Sequence, residues 1–321
     1  MAMTLTDMKV GMNDKVAEKV VDIFVRESEI LQMLPFDNCV SPNGGSTLTY
    51  TYLQTMLPAM ANFRELYSEY EANEATLVKK SADLKIFGGK FSMDRVLKQA
   101  EGKYNNMAFQ MEQKIKAAVS LFHYTLINGD ATTDAKQFDG LDKMLAGTTS
   151  EFNADGTLDV STAALLKTNA DEFYEALQNL IKATEADALM MNTAAISKVQ
   201  TLARILGYKT ETEEAFGKKI TSMDGVRFMD LKNVYSVAEN KPVATPCVTI
   251  STEGLTDIYA VKFDVNDGFH GVTLTGNAGI HQYLPDFNKP GAVKDGEVEM
   301  VAATVLKNTQ HAGVLRNIKL V

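Results

Sequence analysis

The stretch SLFHYTLINGDATTDAKQFDGLDKML, residues 120–145, carries the decisive reading of this 321-residue chain. It starts inside an amphipathic helix, runs into Asn128-Gly129-Asp130, and resumes an apolar periodicity at Phe138. Followed backward, Tyr104, Ala108, Met111, Ile115, Ala118, Phe122 and Leu126 recur at three- and four-residue steps, the period of one helix face. The spacing predicts a helix over 103–127, about 37 Å long and about twice the average length. Asn128-Gly129 predicts a left-handed stop, a conformation glycine adopts without a Cβ clash.

On the N-terminal side, Val16, Val20, Phe24, Leu31 and Leu34 follow mostly helical spacing until Pro35. NCVSPNGGS (38–46) is turn-rich, and Leu48 to Tyr52 alternates as a strand. Periodicity is lost from Gln54 to Glu74, and a second β-like run over 75–87 ends at Gly88-Gly89. Gly44-Gly45 and Gly88-Gly89 read as turn glycines. Two strands around about twenty irregular residues form a long hairpin-like extension, and two strands alone are marginal in water. The extension needs another surface to lie on. Ser92 or Asp94 is then placed to cap a short helix through about Ala100.

Downstream, 150–208 reads as an α/β unit. A helix over 171–183 presents Phe173, Leu177, Leu180 and Ile181, and 187–191 is a short buried strand. Asn192 or Thr193 caps a helix that Gly207 closes. From Lys219 onward the chain is mostly β, with strands expected at 226–229, 247–250 and 259–263. Residues 264–296 read as loop-rich. A terminal hairpin is expected from the alternation of Glu297 to Met300, a turn at 311–313 and a return over 314–320.

The search for chemistry is less productive. Composition is 45% apolar and 23% charged, ordinary for a folded domain, and the formal charge of −9 gives no field toward nucleic acid or an anionic membrane. No apolar run approaches membrane-spanning length, and no charged-then-apolar leader is present, so neither a membrane partner nor a signal peptide is expected. Cys39 and Cys247 fit inert thiols in a reducing compartment, with one bridge between them as the alternative. His123, His270, His281 and His311 have no metal-ligand spacing, and His123 reads as packing or a helix-dipole contact. The loops starting at Asn153 and Asp264 echo calcium loops, but their twelfth positions are Ala164 and Thr275 where a glutamate is required. Both read as Asp-Gly turns, and Lys79-Lys80 as a solvated face. No nucleotide-binding or nucleophile motif occurs, so no catalytic residue, metal or cofactor is expected.

The order of these parts resembles the major capsid proteins of tailed bacteriophages, which share the Hong Kong 97-type capsid fold. The resemblance rests on LINGDATTDAKQFDGLDKML (126–145), on FVRESEILQMLPF (24–36) and on ADALMMNTAAISKVQTL (186–202). It implies an α+β chain with an N-terminal arm (1–41) and an extended β-hairpin loop (42–91). A peripheral domain with a spine helix (92–150 and 285–321) and an α/β axial domain (151–284) complete it. It also implies a non-enzymatic structural role: pentamers and hexamers of this chain closing an icosahedral shell around phage double-stranded DNA, bound without sequence specificity. The site would be a virion capsid, assembled in the bacterial host cytoplasm with a portal. No long helical segment precedes the arm, so a separate scaffolding protein is expected. Some relatives cross-link Lys to Asn; Lys79, Lys80 and Lys85 lie in the loop, with no asparagine assigned to them.

The resemblance places the assembly contacts on Phe24, Leu31 and Phe36 of the arm and on Tyr50, Tyr52, Met56, Met60 and Phe63 of the loop, with Arg64 and Glu65 as polar rim. The bland alternative is that each apolar residue packs within its own chain. Rival readings are an encapsulin-type protein compartment, a cytosolic two-lobed α/β enzyme and a DNA-binding protein.

Overall fold

A computed structural model describes residues 29–41, 47–96, 106–153, 156–207, 211–215, 218–223, 225–238, 241–275 and 279–321. In chain order these form α1 (Glu29–Met33), β1 (Phe36–Val40), β2 (Thr49–Leu57), β3 (Thr76–Asp83), β4 (Lys85–Asp94) and the long helix α2 (Asn106–Asn128). There follow α3 (Leu141–Leu145), β5 (Glu151–Phe152), β6 (Leu158–Asp159), α4 (Ala163–Thr168), α5 (Ala170–Thr184), β7 (Ala188–Met191) and α6 (Thr193–Leu206). The remainder is β: β8 (Glu211–Ala215), β9 (Lys218–Met223), β10 (Val226–Asp230), β11 (Asn233–Ala238), β12 (Lys241–Pro246), β13 (Leu255–Val261), β14 (Phe269–Leu274), β15 (His281–Tyr283), β16 (Val293–Leu306) and β17 (Ala312–Lys319).

Met111, Ile115, Ala118, Val119, Phe122 and Leu126 of α2 are buried, the stripe its spacing predicts, although Ala108 is exposed. Tyr104 lies outside the described residues. At about 1.5 Å per residue the described part of α2 is about 35 Å long. Its N-terminal half packs on Phe91 of β4 and on Val298 and Met300 of β16. Its C-terminal end enters a core shared with β1, β7, β13 and β14.

Strands β2-β3 and β11-β12 form separate ribbons, and two larger sheets hold most of the strands. The smaller runs β1-β14-β16-β15, with β4 along the other side of β16. The larger runs β5-β17-β13-β7-β10-β9-β8, with β6 also on β17. Ala188 and Met190 of β7 face the shared core, while Leu189 and Met191 face a second core under α5 and α6. A strand buried on both faces needs apolar residues throughout, which explains the continuous runs ALMM in β7 and IYAV in β13. Asn192 caps α6 by accepting from Ala195 N at 2.8 Å, and its amide donates to Thr256 Oγ1 at 2.7 Å. Arg316 donates to Glu151 Oε1 and Asp257 Oδ2, both at 2.8 Å, and to Asp142, joining α3, β5, β13 and β17.

Several expectations change. The terminal hairpin does not form: β16 stays in the smaller sheet, while a 3-10 turn at Thr309–His311 carries β17 into the larger one. The boundary at 284/285 does not separate the sheets, because β14 and β15 before it pair with β16 after it. Residues 264–296 are less loop-rich than read, since they contain β14, β15 and the start of β16. Residues 247–250 are not a strand, apart from an isolated bridge at Ile250. The Cys247 carbonyl instead accepts from Asn128 Nδ2 at 2.6 Å, plugging the end of α2. Ser92 and Asp94 both lie in β4, and Asp94, its last residue, accepts from Val96 N at 2.7 Å. Gly88-Gly89 lies within β4 rather than in a turn, and a Cβ on Gly88 would sit 1.8 Å from the Val298 carbonyl oxygen. Close strand approach, not a turn, requires that glycine. Gly44-Gly45 and the predicted helix before Glu29 fall outside the described residues.

The junction after α2 ends for a different reason than Asn-Gly suggests. Gly129 is not left-handed; its backbone meets another backbone. A Cβ there would lie 2.2 Å from the Phe138 carbonyl oxygen, and one on Gly140 would lie 2.6 Å from Gly129 N. Gly140 N donates to Gly129 O at 2.8 Å, and Lys143 clasps Asp130 and Asp139 at 2.5 and 2.8 Å. Gly147, by contrast, has φ +71° and open space around it. Gly147→Ala is therefore expected to cost about 1–2 kcal/mol from backbone strain. Gly129→Ala is expected to cost about 3 kcal/mol or more from overpacking. Chemical denaturation of both variants checks this, and an equal or smaller loss in Gly129→Ala would contradict the close-approach reading.

Candidate functional site

Strands β2 and β3 pair only with each other, as an antiparallel ribbon. Alternation along β2 turns Tyr50, Tyr52 and Gln54 toward the protein and Thr51, Leu53 and Thr55 toward solvent. The root is fastened by side chains: Tyr52 Oη donates to Leu306 O at 3.3 Å, and Gln54 Nε2 to Lys307 O at 2.8 Å. Tyr50 is 7% exposed, and its hydroxyl donates to Asp37 Oδ2 at 3.2 Å. Past Gln54 the described residues show no further side-chain fastening to the body, and almost all of β3 is exposed.

The tip, residues 58–75, is shaped by local bonds. Met60 N donates to Asn73 Oδ1 at 2.7 Å, Ser68 Oγ to Glu65 O at 2.9 Å and Arg64 to Ser68 O at 3.1 Å. The Arg64 guanidinium also lies 5.2 Å from the Tyr70 ring centroid. Met60 is 73% exposed, Phe63 107% and Tyr67 96%, with Leu66 and Tyr70 also in solvent. Isolated exposed apolar residues are unremarkable; here five lie on one projection of the chain. Four glutamates, Glu65, Glu69, Glu71 and Glu74, lie among them.

The sequence-derived contact residues thus separate. Met60, Phe63, Arg64 and Glu65 come together at the exposed tip. Tyr50, Tyr52, Leu31 and Phe36 pack in the chain's own core, Phe36 with its ring centroid 6.4 Å from that of Phe122. Phe24 and the side chain of Met56 lie outside the described residues. Leu53, Leu66, Tyr67, Tyr70 and Leu77 are also exposed on the ribbon and were not among the expected contacts; for Leu66, Tyr67 and Tyr70, apolar residues without period between two strands were the available signal. A second ribbon, β11 with β12, leaves Tyr235 exposed beside α2.

A cavity of about 630 Å³ lies between α2 and β11 and is lined by Ile30, Val119, His123, Asp230, Lys232 and Tyr235. Burial holds His123 down at about 4, opposed by a hydrogen bond with the Leu231 backbone, so the ring is neutral at pH 7 and packs rather than answering a helix dipole. Burial also pushes the Cys247 thiol up to about 12, far from a reactive thiolate. Among the described residues, no group of three or more His, Cys, Asp or Glu could hold a metal ion.

No family model matches the sequence, and no curated protein matches it. Solved structures do match. The holo-SrpI encapsulin complex of Synechococcus elongatus superposes with a TM-score of 0.60 at 12% identity, over 90% of this chain and 87% of that one. A chain of Mycobacterium phage Bobi gives 0.56 at 13% identity over 90% of both. The mature capsid of bacteriophage PhiM1 gives 0.54 at 10% identity, over 91% of this chain and 87% of that one. The chain has the α+β Hong Kong 97-type capsid fold.

A His123 pKa depressed below its unfolded value of 6.5 means that the unfolded chain binds the extra proton between about pH 4 and 6.5. Its contribution is full above 6.5 and is lost as pH falls toward about 4. The stability of the wild type is therefore expected to fall by about 3 kcal/mol more than that of His123→Gln across this window. Urea titrations at a series of pH values check this; equal slopes would contradict the buried neutral histidine.

Proposed function

We propose that the chain is the subunit of an icosahedral shell, a major capsid protein that encloses phage double-stranded DNA without reading its sequence. One observation carries the reading: a ribbon fastened at its root and bare at its tip, on a fold shared with phage capsids and an encapsulin. Shell subunits meet through heterologous contacts whose rotation closes around symmetry axes. Each contact can be weak, because a subunit held by several neighbours gains avidity. The tip's apolar side chains would be covered by the next copy, with Arg64 and Glu65 setting register more than affinity. In this reading the smaller sheet with α2 is the peripheral part and the larger sheet with α5 and α6 the axial part. Residues 1–41 are the arm in this reading, with a scaffolding protein and a portal as partners.

An encapsulin-type compartment is the second reading, favoured by the superposition of 0.60 on the Synechococcus encapsulin. Cargo separates the two, since a phage shell matured with its packaging partners holds DNA that resists nuclease.

Electron microscopy of the purified chain, with and without crowding agent, is expected to show closed shells or rings of five or six. Phe63→Asp combined with Tyr67→Asp is expected to reduce assembly at least tenfold while changing subunit stability by less than about 0.5 kcal/mol, since both side chains lie in solvent. A variant that assembles as the wild type does would remove the tip from the interface. A stable small dimer with no larger species would contradict the shell.

A further inference from the structure

Directly beneath the root of the ribbon lies a histidine the fold does not satisfy. His270 of β14 is fully buried, and its Nε2 has no hydrogen-bond partner. Its Nδ1 is 3.4 Å from the Gly268 carbonyl, longer than an ordinary hydrogen bond. The ring stands edge-on to Tyr50, with centroids 6.0 Å apart and planes at 78°. Tyr50 is the buried foot of β2, and its hydroxyl occupies Asp37.

We propose that His270 is a proton-operated latch at the root of the ribbon. Uncharged, it lets Tyr50 close over it and fixes β2 to the smaller sheet; charged, it drives Tyr50 outward and frees the ribbon to swing.

The surroundings make the charged ring incompatible with the closed root. From the end of β16, Lys307 repels it, with its ammonium already 5.7 Å from the Tyr50 ring centroid. The attracting groups are Asp37 on β1 and Asp264 in the loop before β14, and Asp37 is held by the Tyr50 hydroxyl. From β2 the ring meets Tyr50, with Tyr52 next along the strand, 6.1 Å from Tyr50 between ring centroids. A buried imidazolium without a partner is costly, and leaving Tyr50 in place blocks the carboxylate that would pair with it. Displacing Tyr50 admits water and exposes Asp37, so proton uptake and release of the root are linked.

The sign follows from burial, which lowers the closed-state pKa of His270 below 6.5, against the weak Gly268 contact. The closed root binds fewer protons than the open one. It is held fully above about pH 6.5 and loses that hold as pH falls through the closed-state value. Two further fastenings are hydrogen bonds to backbone carbonyls, Tyr52 to Leu306 and Gln54 to Lys307, neither of which titrates in this range. The latch is a property of the single chain, and only its use, setting the tip's posture before a neighbour covers it, rests on the shell reading.

Hydrogen exchange of the full-length chain at about pH 7.5 and about pH 5, corrected for intrinsic rates, tests it. Protection of the β2 amides is expected to fall about tenfold or more in the wild type at the lower pH, while that of α2 falls less. His270→Gln and His270→Phe cannot charge, and each variant that folds is expected to keep its β2 protection. The latch is overturned if wild-type β2 protection is unchanged, if β2 and α2 loosen together, or if the variants loosen as the wild type does. These outcomes do not depend on whether the chain forms shells, so a failed latch and a failed shell reading remain distinguishable.

Discussion

A ribbon of two strands has two faces and no interior, and this chain builds one that leaves its own body after Gln54. Much of the surrounding architecture serves to hold the root of that ribbon. Tyr50 and Tyr52 bind it to the shared core, β4 continues it into the smaller sheet, and α2 backs β4 along Phe91 and Met111. The glycine contact at Gly129 and Gly140 then ends α2 tightly enough for Phe138 and Leu141 to enter the same core. The outer part of the ribbon receives none of this support. Burying a large apolar side chain contributes about 1.5–3 kcal/mol, and the tip leaves several such contributions unused in a single copy.

Much of the fold was legible because its signals were local. The spacing of Met111, Ile115, Phe122 and Leu126 defined α2; the Asn192 cap and Gly207 defined α6. The loss of period between Gln54 and Glu74 marked the tip. The parts that were not legible depend on contacts distant in sequence. β14 reads as a loop because Gly271 and His270 interrupt its apolar run, yet Gly271 is needed where the Phe36 ring lies against it, 2.4 Å from where a Cβ would be. β16 and β17 look like a hairpin because Glu297 to Met300 alternates, a turn lies after it and a second β-like run follows. Their separation into two sheets is dictated by β13 and β14, which no short-range pattern reveals.

The candidate surface was half legible for the same reason. Apolar residues in a β-extension are equally consistent with packing inward or outward, and only a strand's foundation decides. Tyr50 and Tyr52 lie over the smaller sheet and became core. Met60 and Phe63 lie beyond it and became surface. Composition cannot distinguish these cases, because both sets are aromatic or long-chain apolar residues at similar density. Gly88 and Gly129 carry the same lesson: a glycine in a sequence announces a turn, whereas here both permit two backbones to touch.

The central claim, that a second copy of this chain covers the tip, is tested most directly by placing a photoreactive benzoylphenylalanine at position 63 and irradiating the purified protein. A ladder of covalent multimers of the chain, with cross-links mapping to residues of another copy, is the expected result. Irradiation that leaves only monomer, at concentrations where particles are visible by electron microscopy, would contradict it.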